Sequence, residues 1–461
     1  MSIYNLVEKS FEGETRTETK HEELIFETSL ELIEKHDIFF NGDEIVPCDR
    51  EMPNRVYAAA VELIDKTGIF LTDTNRVIKI DAETIISKSR NVRERFNYGT
   101  GTDASAITKR RVLDNKAPTI VGGPTGILVS KDLYIPIHRS FMKVNKMGII
   151  SPGMLHDPTG KMYQIPFELF SVYETMSNLK EACNLENRTG LCCMNPPIVR
   201  DIAALISISN YTIMKEGDIS EVYPPGNLKT IFDEMKKAIH YGRMGINYVC
   251  TNVGIMGGPT SIHPEQFAIE MVADALMNKV VFNSSLTFDY PTYVRETSSR
   301  IKQFNASTSK DLLWASFIAT MAMAQNSNCF YGKVVNNSAG PCTEMMFYET
   351  AVQTIGYTVC GIDTLSGPVG NAGAEKNHAA GHDSLFMAET ADSTHNLSLE
   401  EADMICQEIF QKYESKVESP DFGKPFNECY DVNKIEPTPE YMNLYNNCMD
   451  EVQSIIAECR L

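Results

Sequence analysis

Residues 246–278 read INYVCTNVGIMGGPTSIHPEQFAIEMVADALMN, and this stretch contains a strand pattern and a helix pattern from which the fold class can be predicted. It begins with a short apolar run, INYVCT, and passes through a turn rich in Gly and Pro. It then continues as PEQFAIEMVADALMN, in which apolar residues recur at helical spacing. A short apolar strand, a turn and a longer helix make one βα unit. The stretch therefore predicts a buried strand covered by the helix that follows it.

The same unit recurs along the chain from about Thr119 onward. Seven strands are predicted in PTIVGG, GIISPG, TGLCCM, INYVCT, KVVFNSS, FYGKVVN and TVCGIDT, and an eighth near DISEVYP. Strands with few charges and no clean alternation are typical of a parallel sheet covered on both faces. Eight such units predict an α/β fold, a closed (β/α)8 barrel of the TIM type. An open doubly wound sheet is the alternative, but no GxGxxG opens a helix after any of these strands.

Helical patterns flank the predicted barrel on both sides. On the N-terminal side, RVYAAAVELIDKTG ends at Gly68, where a helix C-cap is expected. On the C-terminal side, Ser398 and Glu401 form the signature of a capping box at the start of another helix. We therefore predict an N-terminal helical segment at residues 1–115, the barrel at 116–395 and a C-terminal helical extension at 396–461.

Composition limits the class of protein and its partners. The 461 residues are 43% hydrophobic and carry a formal net charge of −19. Because nucleic-acid binding relies on cationic side chains, this charge argues against a nucleic-acid partner. No apolar stretch reaches the roughly 18 residues of a membrane helix, and the N-terminal sequence has no signal-peptide pattern. A cytoplasmic location is therefore expected, with the twelve cysteines present as reduced thiols.

In a (β/α)8 barrel, functional side chains lie at the C-terminal ends of the strands and in the loops that follow. This rule selects a set of candidate positions, although for each one a small polar residue that merely ends a strand is the alternative. The set is Cys192, Cys193, Met194, Cys250, Thr251, Asn252, Asn283, Ser284, Ser285, Asn336, Asn337 and Asp363. The glycines of residues 122–126 (GGPTG) lack the Gly-Lys-Ser/Thr ending of a P-loop, so we predict a tight turn at the barrel mouth.

Three segments closely resemble the corrinoid-dependent monomethylamine methyltransferases of methanogens, in the same order along the chain. They are residues 98–126 (YGTGTDASAITKRRVLDNKAPTIVGGPTG), 339–345 (AGPCTEM) and 427–442 (NECYDVNKIEPTPEYM). The resemblance implies a (β/α)8 barrel that forms a homo-oligomer and serves methylamine metabolism in methanogenesis. It also implies methyl transfer to the Co(I) corrinoid of a separate protein that docks over the barrel mouth. No cofactor or metal is then expected to be bound directly by this chain.

The positions that match the family's active site carry different residues in this chain. In the family, pyrrolysine captures the amine through its imine, and the resemblance places Met194 at that position. Thr251 stands where the family has a catalytic glutamate, while Val334 and Asn336 stand where it has a glutamine and a tyrosine. A thioether cannot form an adduct with an amine, and these matches predict a pocket without a carboxylate. Monomethylamine is therefore an unexpected substrate.

We accordingly predict a pyrrolysine-independent methyltransferase acting on a small methylated compound with a better leaving group, for example a quaternary amine. The predicted catalytic positions are Met194, Thr251, Val334 and Asn336, and the predicted substrate-binding residues are Cys193, Asn252 and Asn337. One alternative is a zinc-thiolate methyltransferase, in which Cys193, Cys250, Cys342 and Cys360 converge on the metal, although free cysteines more often act as small hydrophobes. The other alternative is a catalytically silent paralogue that binds the corrinoid protein.

Overall fold

Eight parallel strands form the centre of the fold. The computed structural model describes residues 3–156, 167–195, 214–297, 300–302 and 308–460. The strands are β1 (Thr119–Gly122), β2 (Met147–Ile150), β3 (Cys192–Cys193), β4 (Ile219–Val222), β5 (Asn247–Met256), β6 (Leu286–Tyr293), β7 (Phe330–Asn336) and β8 (Thr364–Val369). Their order in the sheet is β4-β5-β6-β7-β8-β1-β2-β3. Successive strands of the barrel are therefore neighbours in the sheet everywhere except between β3 and β4.

The seam between β3 and β4 is bridged just beyond the short strand β3. Met194 forms a parallel bridge with Ile219, and the Asn195 backbone N–H donates to the Ile219 carbonyl at 3.0 Å. On the other side, the Met194 N–H donates to the Ile150 carbonyl at the end of β2. These bonds bring the two edges of the sheet together, and the predicted TIM-type barrel is confirmed.

Helices cover the outside of the barrel. Those between or after the strands are α5 (Lys131–Met142), α6 (Phe167–Leu185), α7 (Phe232–Met244), α8 (Pro264–Phe282), α9 (Lys310–Asn326), α10 (Glu344–Val359) and α11 (Gly381–Thr394). The N-terminal helices are α1 (Ile3–Glu12), α2 (Glu18–His36), α3 (Met52–Thr67) and α4 (Ala82–Arg90). The C-terminal helices are α12 (Leu399–Gln411), α13 (Phe426–Cys429) and α14 (Pro439–Glu458).

The additional helices explain why three barrel helices are buried on nearly every side. Helix α3 packs on α8 and α9, and α12 packs on α10, so these barrel helices have a second covered face. Both predicted caps are confirmed: Gly68 ends α3 with φ +73°, and Ser398 begins α12 with its hydroxyl accepting from the Glu401 N–H. The division at residues 115 and 395 stays a prediction.

An antiparallel hairpin closes the N-terminal end of the barrel. Its strands are Arg95–Tyr98 and Ser105–Thr108. Phe96 packs edge-on against Phe330 at the start of β7, with ring centroids 6.4 Å apart. Phe96, Tyr98 and Ile107 belong to the same buried cluster as the side chains that fill the barrel interior. Side chains of the hairpin therefore fill the N-terminal end of the barrel interior. The C-terminal end, where functional residues of such barrels lie, stays available for a site.

Other short elements lie outside the barrel. The paired strands are Ile69–Leu71 with Arg76–Ile78 and Lys229–Thr230, Leu128–Val129 with Met154–Leu155, Arg295–Thr297 with Arg300–Lys302, and Tyr430–Asp431 with Glu436–Pro437. Short 3-10 turns occupy Gly101–Asp103, Gly370–Gly373 and Glu414–Lys416.

Within the described ranges, no helix is both long and apolar enough to cross a membrane.

Two predicted strands are displaced along the chain. KVVFNSS begins inside α8, which runs to Phe282, and the strand itself is β6. TVCGIDT likewise begins in the last turn of α10, and the strand is β8. Asn283, Ser284, Ser285 and Asp363 therefore precede their strands and lie at the N-terminal end of the barrel. Their prediction as residues of the barrel mouth is wrong, because β-branched residues at a buried helix end mimic a strand.

Candidate functional site

A small cavity lies inside the C-terminal mouth of the barrel. It holds about 60 Å³, well below the roughly 300–1,000 Å³ of pockets for drug-sized ligands. Each of the eight strands, or the loop directly after it, contributes to the wall. The lining residues are Thr125, Gly126, Ser151, Met194, Glu221, Tyr223, Thr251, Phe288, Tyr290, Val334 and Ser366. Thr125 and Gly126 belong to the GGPTG turn, which was predicted at this mouth.

Met194 forms part of the wall at the seam of the barrel. Its side chain is 3% exposed and belongs to the interior cluster together with Cys192. Successive side chains of a strand point to opposite faces, so Cys193 faces outward instead. The Cys193 Sγ lies 3.8 Å from the Sγ of Cys183 on α6. Met194 therefore presents a thioether to the cavity, whereas Cys193 does not line it.

Glu221 brings a carboxyl group into the cavity. It is the third of the four residues of β4, is 6% exposed, and accepts a hydrogen bond from the Thr251 hydroxyl at 2.9 Å. Burial raises the pKa of Glu221 to about 7, while the Thr251 bond and the positive charge of Lys237 act in the opposite direction. The prediction of a pocket without a carboxylate is therefore wrong. The missed signal was an acidic residue in the middle of DISEVYP, the segment predicted as a strand.

A buried ion pair stands behind the end of β4. The Glu234 carboxylate accepts from the Tyr223 backbone N–H at 2.7 Å and from the Lys237 ammonium at 2.7 Å. The side chains of Glu234 and Lys237 are only 6% and 4% exposed. On the other side of the strand, the Glu221 N–H donates to the Asn195 side-chain oxygen at 2.8 Å. These bonds fix the backbone from which Glu221 and Tyr223 project.

Aromatic rings form much of the remaining wall. Phe288 and Tyr290 come from β6, and Tyr223 comes from the residue after β4. Burial raises the pKa of both tyrosines, so they stay neutral around pH 7. The Tyr290 hydroxyl donates to the Asn336 side-chain oxygen at 3.0 Å. Asn336 thus contacts a wall residue without lining the cavity itself, and its predicted catalytic role stays a prediction.

The remaining predicted residues divide by the direction of their side chains. Thr251 and Val334 line the cavity. Asn252 instead bonds Asp289 and Asn278, on the side of β5 that faces the helices. Asn337 donates to Thr350 and Met346 of α10 and accepts from Gln353. The structure brings Met194, Thr251 and Val334 together, and it leaves Cys193, Asn252 and Asn337 outside the cavity wall.

The four cysteines considered for zinc lie in separate surroundings. Cys193 neighbours Cys183, Cys342 neighbours Cys429, and Cys250 and Cys360 are each buried elsewhere. The part of the chain that the structure describes contains no cluster of three or more His, Cys, Asp or Glu side chains suited to a metal. The zinc-thiolate alternative therefore lacks a site among these residues.

The position of Glu221 predicts how cation binding depends on pH. With a pKa of about 7, its carboxyl group ionises as the pH rises through neutrality, and only the ionised form attracts a cation. Tetramethylammonium carries no titratable proton, so its affinity reports the protein alone. We expect its affinity to fall about tenfold between pH 8 and pH 6, as the ionised fraction falls. Isothermal titration calorimetry measures this, and an affinity independent of pH would contradict it.

Comparison with known proteins gives a consistent result. The sequence model of the family described as monomethylamine methyltransferase MtmB matches residues 1–456. The monomethylamine methyltransferase MtmB2 of Methanosarcina acetivorans is 28% identical over 429 residues, covering 93% of this chain and 92% of that protein. MtmB1 of Methanosarcina barkeri is similar to the same extent. The crystal structure of the Methanosarcina barkeri enzyme superposes with a TM-score of 0.92 at 27% identity, covering 98% of both chains, as does a hydroxylamine complex of MtmB.

Proposed function

Because the chain belongs to the monomethylamine methyltransferase MtmB family, we propose that it transfers a methyl group from a small quaternary ammonium compound to the corrinoid of a separate carrier protein. One observation carries this proposal: the Glu221 carboxyl group lies in an aromatic-walled cavity built by all eight strands. Aromatic faces and a carboxylate together attract a methylated cation. The cavity volume of about 60 Å³ supports a substrate of only a few non-hydrogen atoms.

Each part of the wall has a distinct role in binding. The ionised Glu221 offsets the positive charge of the donor, and the Thr251 hydroxyl steadies that ionised form through its hydrogen bond. The faces of Tyr223, Phe288 and Tyr290 contact the methyl groups, which carry much of the positive charge of a quaternary ammonium ion. Their enclosure also keeps bulk water away from the carboxylate, which strengthens its attraction for the cation.

A quaternary donor requires little chemical activation by the protein. When its C–N bond breaks, the bonding electrons stay on nitrogen and a neutral tertiary amine leaves without needing a proton. The corrinoid of the carrier supplies the Co(I) nucleophile that accepts the methyl group. Because the resemblance matches Met194 to the pyrrolysine position and a thioether offers no electrophile, the proposed reaction proceeds without capture of the amine as an adduct. The neutral product no longer attracts Glu221, which favours its release.

The test is methyl transfer to the reduced cognate carrier with a panel of donors. Tetramethylammonium and larger quaternary ammonium ions are compared with trimethylammonium and monomethylammonium, and the loss of the Co(I) absorption spectrum is followed. We expect a quaternary donor to react fastest. A fastest reaction with monomethylammonium would overturn the proposed donor. If the protein binds the carrier but no donor reacts, the silent-paralogue alternative would replace the proposal.

The aromatic wall gives a further prediction. Tyr290→Leu removes one ring face, and cation–π contacts are worth about 0.5–2 kcal/mol. We expect the affinity for tetramethylammonium to fall roughly 2- to 30-fold in calorimetric titration. Tyr290→Phe is the matched control, since it keeps the ring but loses the hydrogen bond to Asn336. Equal losses in the two variants would assign the effect to the hydroxyl group and not to the ring.

A further inference from the structure

Two cysteines outside the barrel cavity lie in contact with each other. Cys342 stands in the loop between β7 and α10 and is partly exposed, whereas Cys429 ends α13 and is buried. The two side chains lie close enough to interact electrostatically. Both belong to segments that the sequence analysis singled out, AGPCTEM and NECYDV, and neither takes part in the proposed methyl transfer.

Backbone hydrogen bonds hold the two cysteine-bearing segments together. The Lys424 N–H donates to the Pro341 carbonyl at 2.9 Å, directly before Cys342. The Gly340 N–H donates to the Asp421 carbonyl at 3.0 Å. The Cys429 thiol in turn lies 3.4 Å from the Lys424 carbonyl oxygen. These bonds hold the segment that contains Cys342 and the segment that contains Cys429 side by side.

The direction of its pKa shift distinguishes Cys342 from the other partly exposed thiols. The interaction with Cys429 and the nearby Lys424 ammonium lower the pKa of Cys342. In contrast, burial and the acidic neighbours of Cys48 raise its pKa to about 12, and burial and nearby glutamates also raise the pKa of Cys459. Nucleophilic cysteines are those with thiolate character and access to solvent, and among the twelve cysteines Cys342 combines both.

A second thiol pair provides a contrast within the same protein. Cys183 and Cys193 lie with their sulfur atoms 3.8 Å apart, but they are only 2% and 0% exposed. A reagent cannot reach that pair without opening the fold. Both pairs therefore consist of neighbouring thiols. They differ in solvent access, because only the pair of Cys342 and Cys429 has a thiol that is partly exposed.

We propose that Cys342 and Cys429 form a redox-active dithiol that undergoes exchange with small-molecule disulfides. The Cys342 thiolate attacks the disulfide oxidant, forming a mixed disulfide and releasing one thiolate. The Cys429 thiol then attacks the Cys342 sulfur, closes the protein disulfide, and releases the second thiol with its proton. Two protein thiols are oxidised and one small-molecule disulfide is reduced to two thiols. This site is independent of the proposed methyl transfer.

The closed disulfide would connect the loop after β7 to the C-terminal extension. The two residues are 87 positions apart in the sequence. A cross-link over such a long segment constrains the unfolded chain strongly. The oxidised protein should therefore have a higher melting temperature than the reduced protein.

The test uses the full-length reduced protein in two steps. First, a limiting amount of iodoacetamide is added at pH 7 and the alkylated peptides are quantified by mass spectrometry. We expect Cys342 to react at least about tenfold faster than Cys48 and Cys459, which are also partly exposed. Second, oxidised glutathione replaces iodoacetamide. We expect a cross-linked peptide pair containing Cys342 and Cys429, two hydrogens lighter than the reduced pair.

Variants separate the roles of the two thiols. In Cys429→Ser, a glutathione adduct should accumulate at Cys342, whereas Cys342→Ser should abolish both the adduct and the cross-link. Cys48→Ser is the control and should leave both unchanged. Wild-type protein in which Cys342 reacts no faster than Cys459, or in which oxidised glutathione yields no Cys342–Cys429 cross-link, would overturn the proposal even if a variant fails to fold.

Discussion

Glu221→Gln is expected to lower kcat/KM for a cationic methyl donor by roughly 30- to 4,000-fold. The carboxyl group is 6% exposed and faces a small cavity, so a bound cation has little water to replace the lost charge. Removing one partner of a buried charge pair costs about 2–5 kcal/mol, and each 1.4 kcal/mol is tenfold. The measurement is the rate of methyl transfer to the reduced carrier, with calorimetric titration of tetramethylammonium in parallel.

Thr251→Val is the matched control for Glu221→Gln. It removes the hydroxyl that donates to Glu221 at 2.9 Å but leaves the carboxyl group in place. Because this bond lowers the pKa of Glu221, its loss should move the midpoint of the pH dependence upward, with a smaller loss of affinity at high pH. Glu221→Gln should abolish the pH dependence altogether. A pH dependence that persists in Glu221→Gln would assign it to another group.

Lys237→Met is expected to destabilise the protein by about 3–5 kcal/mol in the free energy of unfolding. The variant removes the partner of Glu234 and leaves a negative charge buried, which is the costly case for an internal ion pair. It also removes a positive charge that lowers the pKa of Glu221, so cation binding should require a higher pH. Urea unfolding measures the first effect, and calorimetric titration across pH measures the second.

The same helix offers a matched control for Lys237→Met. Lys236 pairs with Asp233 at the same i,i+3 spacing, but both side chains are more than half exposed. Surface pairs contribute about 0–1 kcal/mol, so Lys236→Met should change stability little. The double variant Lys237→Met with Glu234→Gln should recover much of the stability, since no buried charge is left. Equal destabilisation by Lys236→Met and Lys237→Met would contradict the account of the buried pair.

The fold was largely predictable because the alternation of apolar strands and helices repeats eight times. The errors have a local physical cause. Two buried helix ends contain residues that are also common in strands: Lys279–Phe282 and Thr358–Val359. A helix that is covered on both sides has no exposed polar face, so its sequence does not show the amphipathic pattern that identifies a surface helix. Tertiary burial therefore hid the boundary, and the predicted strands began a few residues too early.

The site was predictable only in part, because a strand's position is easier to predict than the direction of each side chain. Parallel strands buried on both faces show no polar alternation, so neighbouring residues such as Cys193 and Met194 cannot be assigned to a face from sequence. Thr251 lines the cavity while Asn252, one residue later, faces the helices. Glu221 was missed although it lies within a predicted strand, since the resemblance matched Thr251 to the family's catalytic glutamate.

The most direct test of the proposed methyl donor is a competition between two donors in one single-turnover reaction. Equal concentrations of tetramethylammonium and monomethylammonium are mixed with the protein and its reduced carrier, and the amine products are quantified against the Co(I) consumed. We expect one trimethylamine to form for each Co(I) consumed, with no ammonia. Stoichiometric ammonia with tetramethylammonium left intact would contradict it.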